Sequence, residues 1–475
     1  MKQGIRLRRQ QQGIFPAAAL PSIEREVVNM RSDMRIVGEN VTFSTNCKET
    51  GLNNNVLVYG TSGCGKTMSV AEPLLLRTYN TNLVVTVTKR RLVKKYTPLF
   101  KKRCYKVLDL NFTDPDESTV SFDPLEYVRT LSDMNFLAKA IVGITYGKNA
   151  NSTADPYWEQ CAVSLLTAEI AVCLARSEGP RATLADVLDL HDSITFSESN
   201  EGISTNIDDL FEKHKNTKRG AHAYNCWKTF KQAPFRTASC IFSTLNTILD
   251  TVFTHDIRKM MKLDKKLDFT KLGSEKTVLF VTTSAVNPAL NSFINMFYAQ
   301  LFKQLFEYAE KLPDGMLPIP VHVLCDDFAT GGQILNFPEY ISIFREKQIS
   351  VTLLLQSESQ LDAMYGYSNA ITIINNCDTC LYMGGMDLKT GRSMSERLNL
   401  PLEDILYMPV GKMFVFRRGQ KPIYTSRYDI EKNRLYQSIT AQYNETVRAE
   451  KEQEQKKEEE DKERKRAEKT MKKAS

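Results

Sequence analysis

Short apolar runs alternate with amphipathic stretches along most of the chain. Asn55–Tyr59, Leu83–Thr88, Tyr105–Leu110, Lys276–Thr283, Val321–Cys325, Ser350–Leu355, Thr379–Met383 and Met413–Phe416 each predict a strand. Asn55–Tyr59 reads as a short buried strand, and Leu83–Thr88 as an alternating, β-branched one. A helical pattern follows the first run from Lys66 to about Tyr79, with Pro73 expected to end or bend it. Trp158–Leu174 predicts a strongly apolar helix. Ala289–Lys311 predicts a long one, with Phe293, Phe297, Leu301 and Leu305 on one face at spacing four. Strands alternating with helices predict an α/β fold with a mainly parallel central sheet.

The segment from about Asp155 to His255 is mostly helical in pattern; from Arg176 to Phe235 it turns polar, with Gly-Pro, Asn-rich and Lys-rich breaks, and predicts a small inserted domain. The expected division is an irregular N-terminal arm (1–45), a nucleotide-binding domain in two parts (46–175 and 236–440), an all-α insert (176–235) and a charged tail (441–475). The arm carries Arg6, Arg8 and Arg9, which read as a solvated stretch or a DNA or lipid contact. The tail holds eleven basic and nine acidic residues from Arg448 to Lys473, net +2, without an apolar stripe. It predicts a solvated helix rather than a coiled coil.

The chemistry sits at the ends of two of the predicted strands. Gly60-Thr61-Ser62-Gly63-Cys64-Gly65-Lys66-Thr67 fits GxxxxGK[ST], preceded by a strand and followed by a helix. The glycines let successive N–H groups converge on one centre, and the helix N-terminus adds a positive dipole end. Lys66 would give a point charge to the β and γ phosphates of ATP, and the Thr67 hydroxyl a ligand to Mg²⁺. The apolar strand Val321–Cys325 delivers Asp326 and Asp327 at its C-terminal end, where ligands of parallel sheets bind. Asp326 would hold the metal through water and Asp327 would polarise the attacking water. Gln356, at the tip of the strand Ser350–Leu355, could reach the γ-phosphate or its water. Arg345, on a helix-like segment between those two strands, reads either as a solvated arginine or as a finger acting on a neighbouring copy.

Composition narrows this only modestly. The 475 residues are 42% hydrophobic and 25% charged, which excludes bulk disorder. Lys+Arg 63 against Asp+Glu 56 gives +7, which permits a polyanionic partner without demanding one. The ten cysteines are scattered, with one CxxC at Cys377 and Cys380, and predict reduced thiols. No run of about 18 apolar residues predicts a transmembrane helix, and Gly13–Ile23, broken by Pro16 and Pro21, makes a poor signal peptide. The five histidines lack metal-ligand spacing, there is no GxSxG elbow, and Trp158 and Trp227 read as packing residues.

From about Asn46 to Arg427 the chain resembles the TraG/TraD-like coupling-protein ATPases of bacterial conjugation and type IV secretion. The marks are the P-loop with its strand, Asp155-Pro-Tyr-Trp158-Glu, Asp326-Asp-Phe-Ala329 followed by Gly331, Ile349-Ser-Val-Thr-Leu-Leu-Leu-Gln356-Ser-Glu-Ser-Gln360, and Asn375-Asn-Cys-Asp378. The resemblance implies a RecA-like P-loop NTPase domain with an inserted all-α domain. It implies a DNA-stimulated ATPase, hexameric, at the cytoplasmic face of the membrane, that brings relaxase-bound DNA or protein substrates to the secretion channel. DNA would be held without base reading. It matches Lys66 to the family's P-loop lysine, Asp326 to its metal aspartate, Gln356 to its strand-end glutamine and Arg345 to its candidate arginine finger.

Three departures stand out. The family usually has Asp-Glu where this chain has Asp326-Asp327. It often has Asp-Pro-Lys-Gly-Glu where this chain has Val87-Thr-Lys-Arg-Arg91, keeping only Lys89, which forms a basic cluster with Lys94 and Lys95. Many members carry N-terminal transmembrane helices, for which this sequence shows no segment. Two other functions compete: a nucleotide-binding docking platform with little hydrolysis, and another RecA-like DNA translocase such as a chromosome-partitioning motor.

Overall fold

The computed structural model describes residues 33–146, 156–176, 181–199, 202–284, 287–326, 328 and 333–474. Thirteen strands are present among them: β1 (Met34–Gly38), β2 (Val41–Ser44), β3 (Val56–Tyr59), β4 (Asn82–Val87), β5 (Lys106–Asn111), β6 (Phe196–Ser199), β7 (Gly202–Thr205), β8 (Thr277–Thr282), β9 (Val321–Cys325), β10 (Ile349–Leu355), β11 (Thr379–Tyr382), β12 (Lys412–Arg417) and β13 (Ile423–Ser426). Nine build one sheet in the order β13-β12-β11-β3-β10-β9-β4-β8-β5. The seven from β11 to β5 are parallel, and β12 and β13 extend the edge antiparallel. The expected mainly parallel sheet is therefore present, and each of the eight predicted strands is in it.

Its central strands are apolar throughout because both faces are covered. Along β3, Val56 and Val58 enter one core while Leu57 and Tyr59 enter the other, the two-residue period of a pleated strand. One core is closed by Glu72–Arg77, Arg91–Lys102 and the start of a long C-terminal helix, Arg434–Ala474. Pro288–Glu310 covers the other, with Phe293, Phe297, Leu301 and Leu305 fully buried.

Between β5 and β8 the chain leaves the sheet and builds a helical lobe. Leu131–Tyr146, Pro156–Ala175, Leu184–Asp192, Asp208–His214, Lys218–Lys231, Phe235–Val252 and His255–Lys262 pack together. The lobe is wider than the polar stretch 176–235. Its flanking helices are apolar on most sides and read, in sequence, as ordinary core. It is also not purely helical, since β6 and β7 pair as an antiparallel ribbon within it. Tyr157–Ala175 is long and apolar enough to cross a membrane, but 67% of that window is buried inside the protein.

Two other expectations change. The arm expected to run to residue 45 gives way earlier: β1 and β2 form a hairpin, tied to the sheet by the Glu39 N–H donating to the Ser426 carbonyl (2.9 Å). Residues 1–32, with Arg6, Arg8 and Arg9, lie outside the described residues. The helix expected from Lys66 to Tyr79 is a π-helical turn, Thr67–Ala71, followed by the α-helix Glu72–Arg77. Pro73 has no N–H to give and its ring crowds the Ser69 carbonyl in a regular α-helix, and the wider turn lies in the residues just before it.

Candidate nucleotide site

The strand order places the site. β10 lies between β3 and β9, so the strand ending in Gln356 sits between the strand leading to the P-loop and the strand ending at Asp326. Tyr59 pairs with Leu355, and Cys325 pairs with Leu353, so all three strands finish on one edge. Two strand spacings separate β3 from β9, roughly 10 Å. A single cavity of about 390 Å³ spans that gap, lined by Thr61 to Thr67, Asp326, Gln356, Lys89 and Arg91.

The P-loop geometry follows from its glycines. Gly63 (φ 74°) and Gly65 (φ 87°) occupy the left-handed region, where a side chain is strained. At Gly60 a Cβ would sit 2.5 Å from the Cys64 sulfur. Gly60 N–H donates to the Leu355 carbonyl (3.1 Å), so the ladder holds the loop's first residue. Lys66 Nζ donates to the carbonyls of Gly60 (2.6 Å) and Thr61 (3.2 Å), which keeps the ammonium against the loop. The Gln356 N–H is held by Gln360 Oε1 at 3.1 Å.

The donor set suits a metal-bound polyphosphate. Thr67 offers a neutral hydroxyl and Asp326 a carboxylate, oxygen ligands of the type a hard divalent cation takes. Lys66, Lys89 and Arg91 give the wall positive charge, and the exposed side chains of Lys89 and Arg91 sit at its rim.

The structure thus brings Gly60–Thr67, Asp326 and Gln356 together. Asp327, expected to polarise water, lies outside the described residues. Arg345 is exposed just before β10 begins. Seven residues of β10 separate it from Gln356, roughly 23 Å at strand rise. It lies instead near Cys47: burial raises that thiol's pKa, and Arg345 acts against the rise.

The basic cluster divides. Lys89 lines the cavity. Lys94 pairs with Glu450 of the C-terminal helix (2.9 Å), and Lys95 is buried against Glu72 (3.0 Å). Cys380 is buried in β11, and Trp227 is stacked on Phe211, so both are packing residues.

Sequence reading missed Thr88 and Arg91 as lining residues, although both lie within two residues of the Lys89 already singled out. It also missed Arg427, whose guanidinium bonds the Cys64 carbonyl behind the P-loop. Nothing in sequence spacing points to Arg427, because its partners are main-chain atoms.

A profile of the family described as type IV secretory system conjugative DNA transfer matches residues 10–399. Curated protein sequences give no match. Among solved structures, the fold is similar to the plasmid coupling protein TrwB in complex with the non-hydrolysable ATP analogue ADPNP. The identity is 18%, the TM-score 0.63, and the match covers 85% of this chain and 91% of that one. TrwB in complex with ADP and Mg²⁺ gives the same figures. VirB4 of Thermoanaerobacter pseudethanolicus is similar at 13% identity and a TM-score of 0.50, covering 84% of this chain and 97% of that one. With the profile spanning most of its length, the chain belongs to the conjugative DNA transfer family of type IV secretion systems, and its fold is that of a conjugative coupling protein.

Proposed function

We propose that this chain is an ATP-hydrolysing coupling protein. It would recruit relaxase-bound DNA, or a protein substrate, to the secretion channel and drive DNA movement. The observation that carries this reading is the cavity joining the P-loop to Asp326 and Gln356 in a protein of this family. The solved TrwB complexes with ADPNP and with ADP and Mg²⁺ support the choice of ATP and Mg²⁺.

Each residue has a task. The N–H groups of the P-loop bind phosphate oxygens, and Lys66 adds charge at the β and γ positions. Thr67 and Asp326 would hold Mg²⁺, which when bound neutralises phosphate charge. Asp327 accepts the proton of the attacking water, and Gln356 orients that water or the γ-phosphate. Arg345 is too far from its own cavity and would serve a neighbouring copy, stabilising the charge that develops in transfer. This requires a homo-oligomer, and a hexameric ring at the cytoplasmic face of the membrane is the arrangement we infer. DNA would be held through Lys and Arg contacts to phosphates, without base reading. The helical lobe and the charged C-terminal helix contribute none of the residues lining the cavity and are the surfaces we assign to relaxase and channel partners.

The test is ATP turnover with and without single-stranded or duplex DNA. Stimulated hydrolysis in the wild type, abolished in Lys66→Ala, is expected; hydrolysis unchanged by that substitution would remove the site assignment. A docking platform with little turnover is favoured by Asp327, whose carboxylate is one methylene shorter than the family's usual glutamate. Tight nucleotide binding with negligible steady-state turnover would establish that alternative.

A further inference from the structure

We infer that Arg427 is a positioning residue for phosphate binding, a guanidinium clamp that fixes the direction of the P-loop amides. The inference rests on reading Gly60–Thr67 as the phosphate loop.

Arg427 follows β13 directly, and its N–H donates to the Gly411 carbonyl at 2.8 Å, which anchors its backbone on the sheet edge. From there the side chain reaches under the P-loop. Nη1 donates to the Cys64 carbonyl, and Nη2 donates to the Met383 carbonyl at 2.8 Å. Met383 in turn is tied to β3, its N–H donating to the Tyr59 carbonyl at 2.8 Å. One rigid fork therefore ties the loop to the ends of two neighbouring strands.

The consequence is stereochemical. In a planar trans peptide the carbonyl and the following N–H point in opposite directions. Cys64 and Gly65 share such a peptide, since the described residues contain no cis bond. Holding the Cys64 carbonyl outward on Arg427 therefore turns the Gly65 N–H toward the opposite face of that peptide, the face the loop presents to phosphate. Glycine at 65, with φ 87°, would otherwise let this peptide rotate with little resistance. A Cβ placed on Gly65 would lie 3.9 Å from Nη1, so the guanidinium sits immediately behind the loop. Among the described residues Arg427 forms no ion pair with a carboxylate, so its charge also adds to the field at the phosphate site.

Lysine at this position would keep the charge but not the two-pronged geometry. The experiment is a calorimetric titration of Mg·ADPNP and Mg·ADP into full-length wild type, Arg427→Ala, Arg427→Lys and Lys66→Ala. Thermal unfolding is recorded without nucleotide for each. We expect Arg427→Ala to weaken both nucleotides about ten- to a hundredfold, the range for losing a hydrogen bond to a charged group. Arg427→Lys should fall between it and the wild type, and both variants should keep a cooperative unfolding transition. Wild-type affinity in Arg427→Ala, with binding lost in Lys66→Ala, would overturn the clamp and leave the phosphate loop standing. Undiminished binding in Lys66→Ala would remove the phosphate loop and the clamp together. If Arg427→Ala does not fold, Arg427→Lys decides alone: weakened binding supports the clamp, and wild-type affinity overturns it.

Discussion

Lys95→Met should destabilise the protein by about 3–5 kcal/mol, the cost of removing one partner from a buried ion pair. The structure gives the reasons. Glu72 is 1% exposed and Lys95 is 7% exposed, and their Nζ–Oε2 distance is 3.0 Å. The Tyr96 hydroxyl donates to the same Glu72 oxygen at 2.7 Å. Burial first, and then the Glu72 carboxylate, raises the Tyr96 pKa, so the phenol stays protonated and remains a donor. The Lys95 ammonium also lies 3.6 Å from the centre of the Tyr436 ring. Three helices meet at this group: the one after the P-loop, Arg91–Lys102 and the C-terminal helix. In Lys95→Met the Glu72 carboxylate would keep only a phenol, and methionine would fill the space of the lysine stem. Glu72→Gln in the same background removes the stranded charge and should recover most of the loss, because a neutral pair of similar volume avoids ion desolvation. Urea unfolding of the wild type, both single variants and the double variant completes the cycle. A loss below about 1 kcal/mol in Lys95→Met, or a double variant costing the sum of the singles, would refute the reasoning.

Further expectations address the lobe and the site. In the lobe, His191 and Glu169 are fully buried at 2.9 Å; burial alone lowers the imidazole pKa, but the carboxylate outweighs it and the net pKa is raised. Its contribution to stability is therefore complete below the ordinary histidine range near pH 6.5 and declines as pH rises through the raised value. Unfolding temperatures from pH 6 to 9 should fall more steeply in the wild type than in His191→Gln, and equal slopes would contradict the assignment. Trp227 is stacked on Phe211 at 4.3 Å and donates to Asp208 at 3.0 Å, so Trp227→Ala should cost about 3–5 kcal/mol in urea unfolding; a cost under about 1 kcal/mol would show that its packing matters little. Arg345→Ala should leave nucleotide affinity within about twofold while cutting turnover about a thousandfold or more, the scale of an arginine finger. Weakened binding with unchanged turnover would place Arg345 elsewhere in the mechanism.

What the sequence made legible was what side-chain type encodes locally. β3, β4, β8, β9, β10 and β11 appeared as apolar runs because both faces are buried. The P-loop and Asp326 appeared because their chemistry requires particular residue types at strand ends. Strand order was not legible: nothing along the chain states that β10 lies between β3 and β9. The short elements β1, β2, β6, β7 and β13 are partly exposed, and four or five residues give no period to read. The helical character of about 155–255 was legible, but the insert was bounded at its polar stretch 176–235 because the flanking helices have the composition of core. Charge runs were the least informative feature, since Lys89, Lys94 and Lys95 meet three different environments.

The central claim is that the P-loop and Asp326 close on one metal-bound triphosphate. Mn²⁺ binding followed by electron paramagnetic resonance, in the presence of ADPNP, tests it most directly. The wild type should bind one nucleotide-dependent Mn²⁺ per chain. Asp326→Asn and Thr67→Ala should each weaken the metal, and Lys66→Ala should lose the nucleotide and the metal together. Mn²⁺ and ADPNP binding that ignores all three substitutions would contradict it.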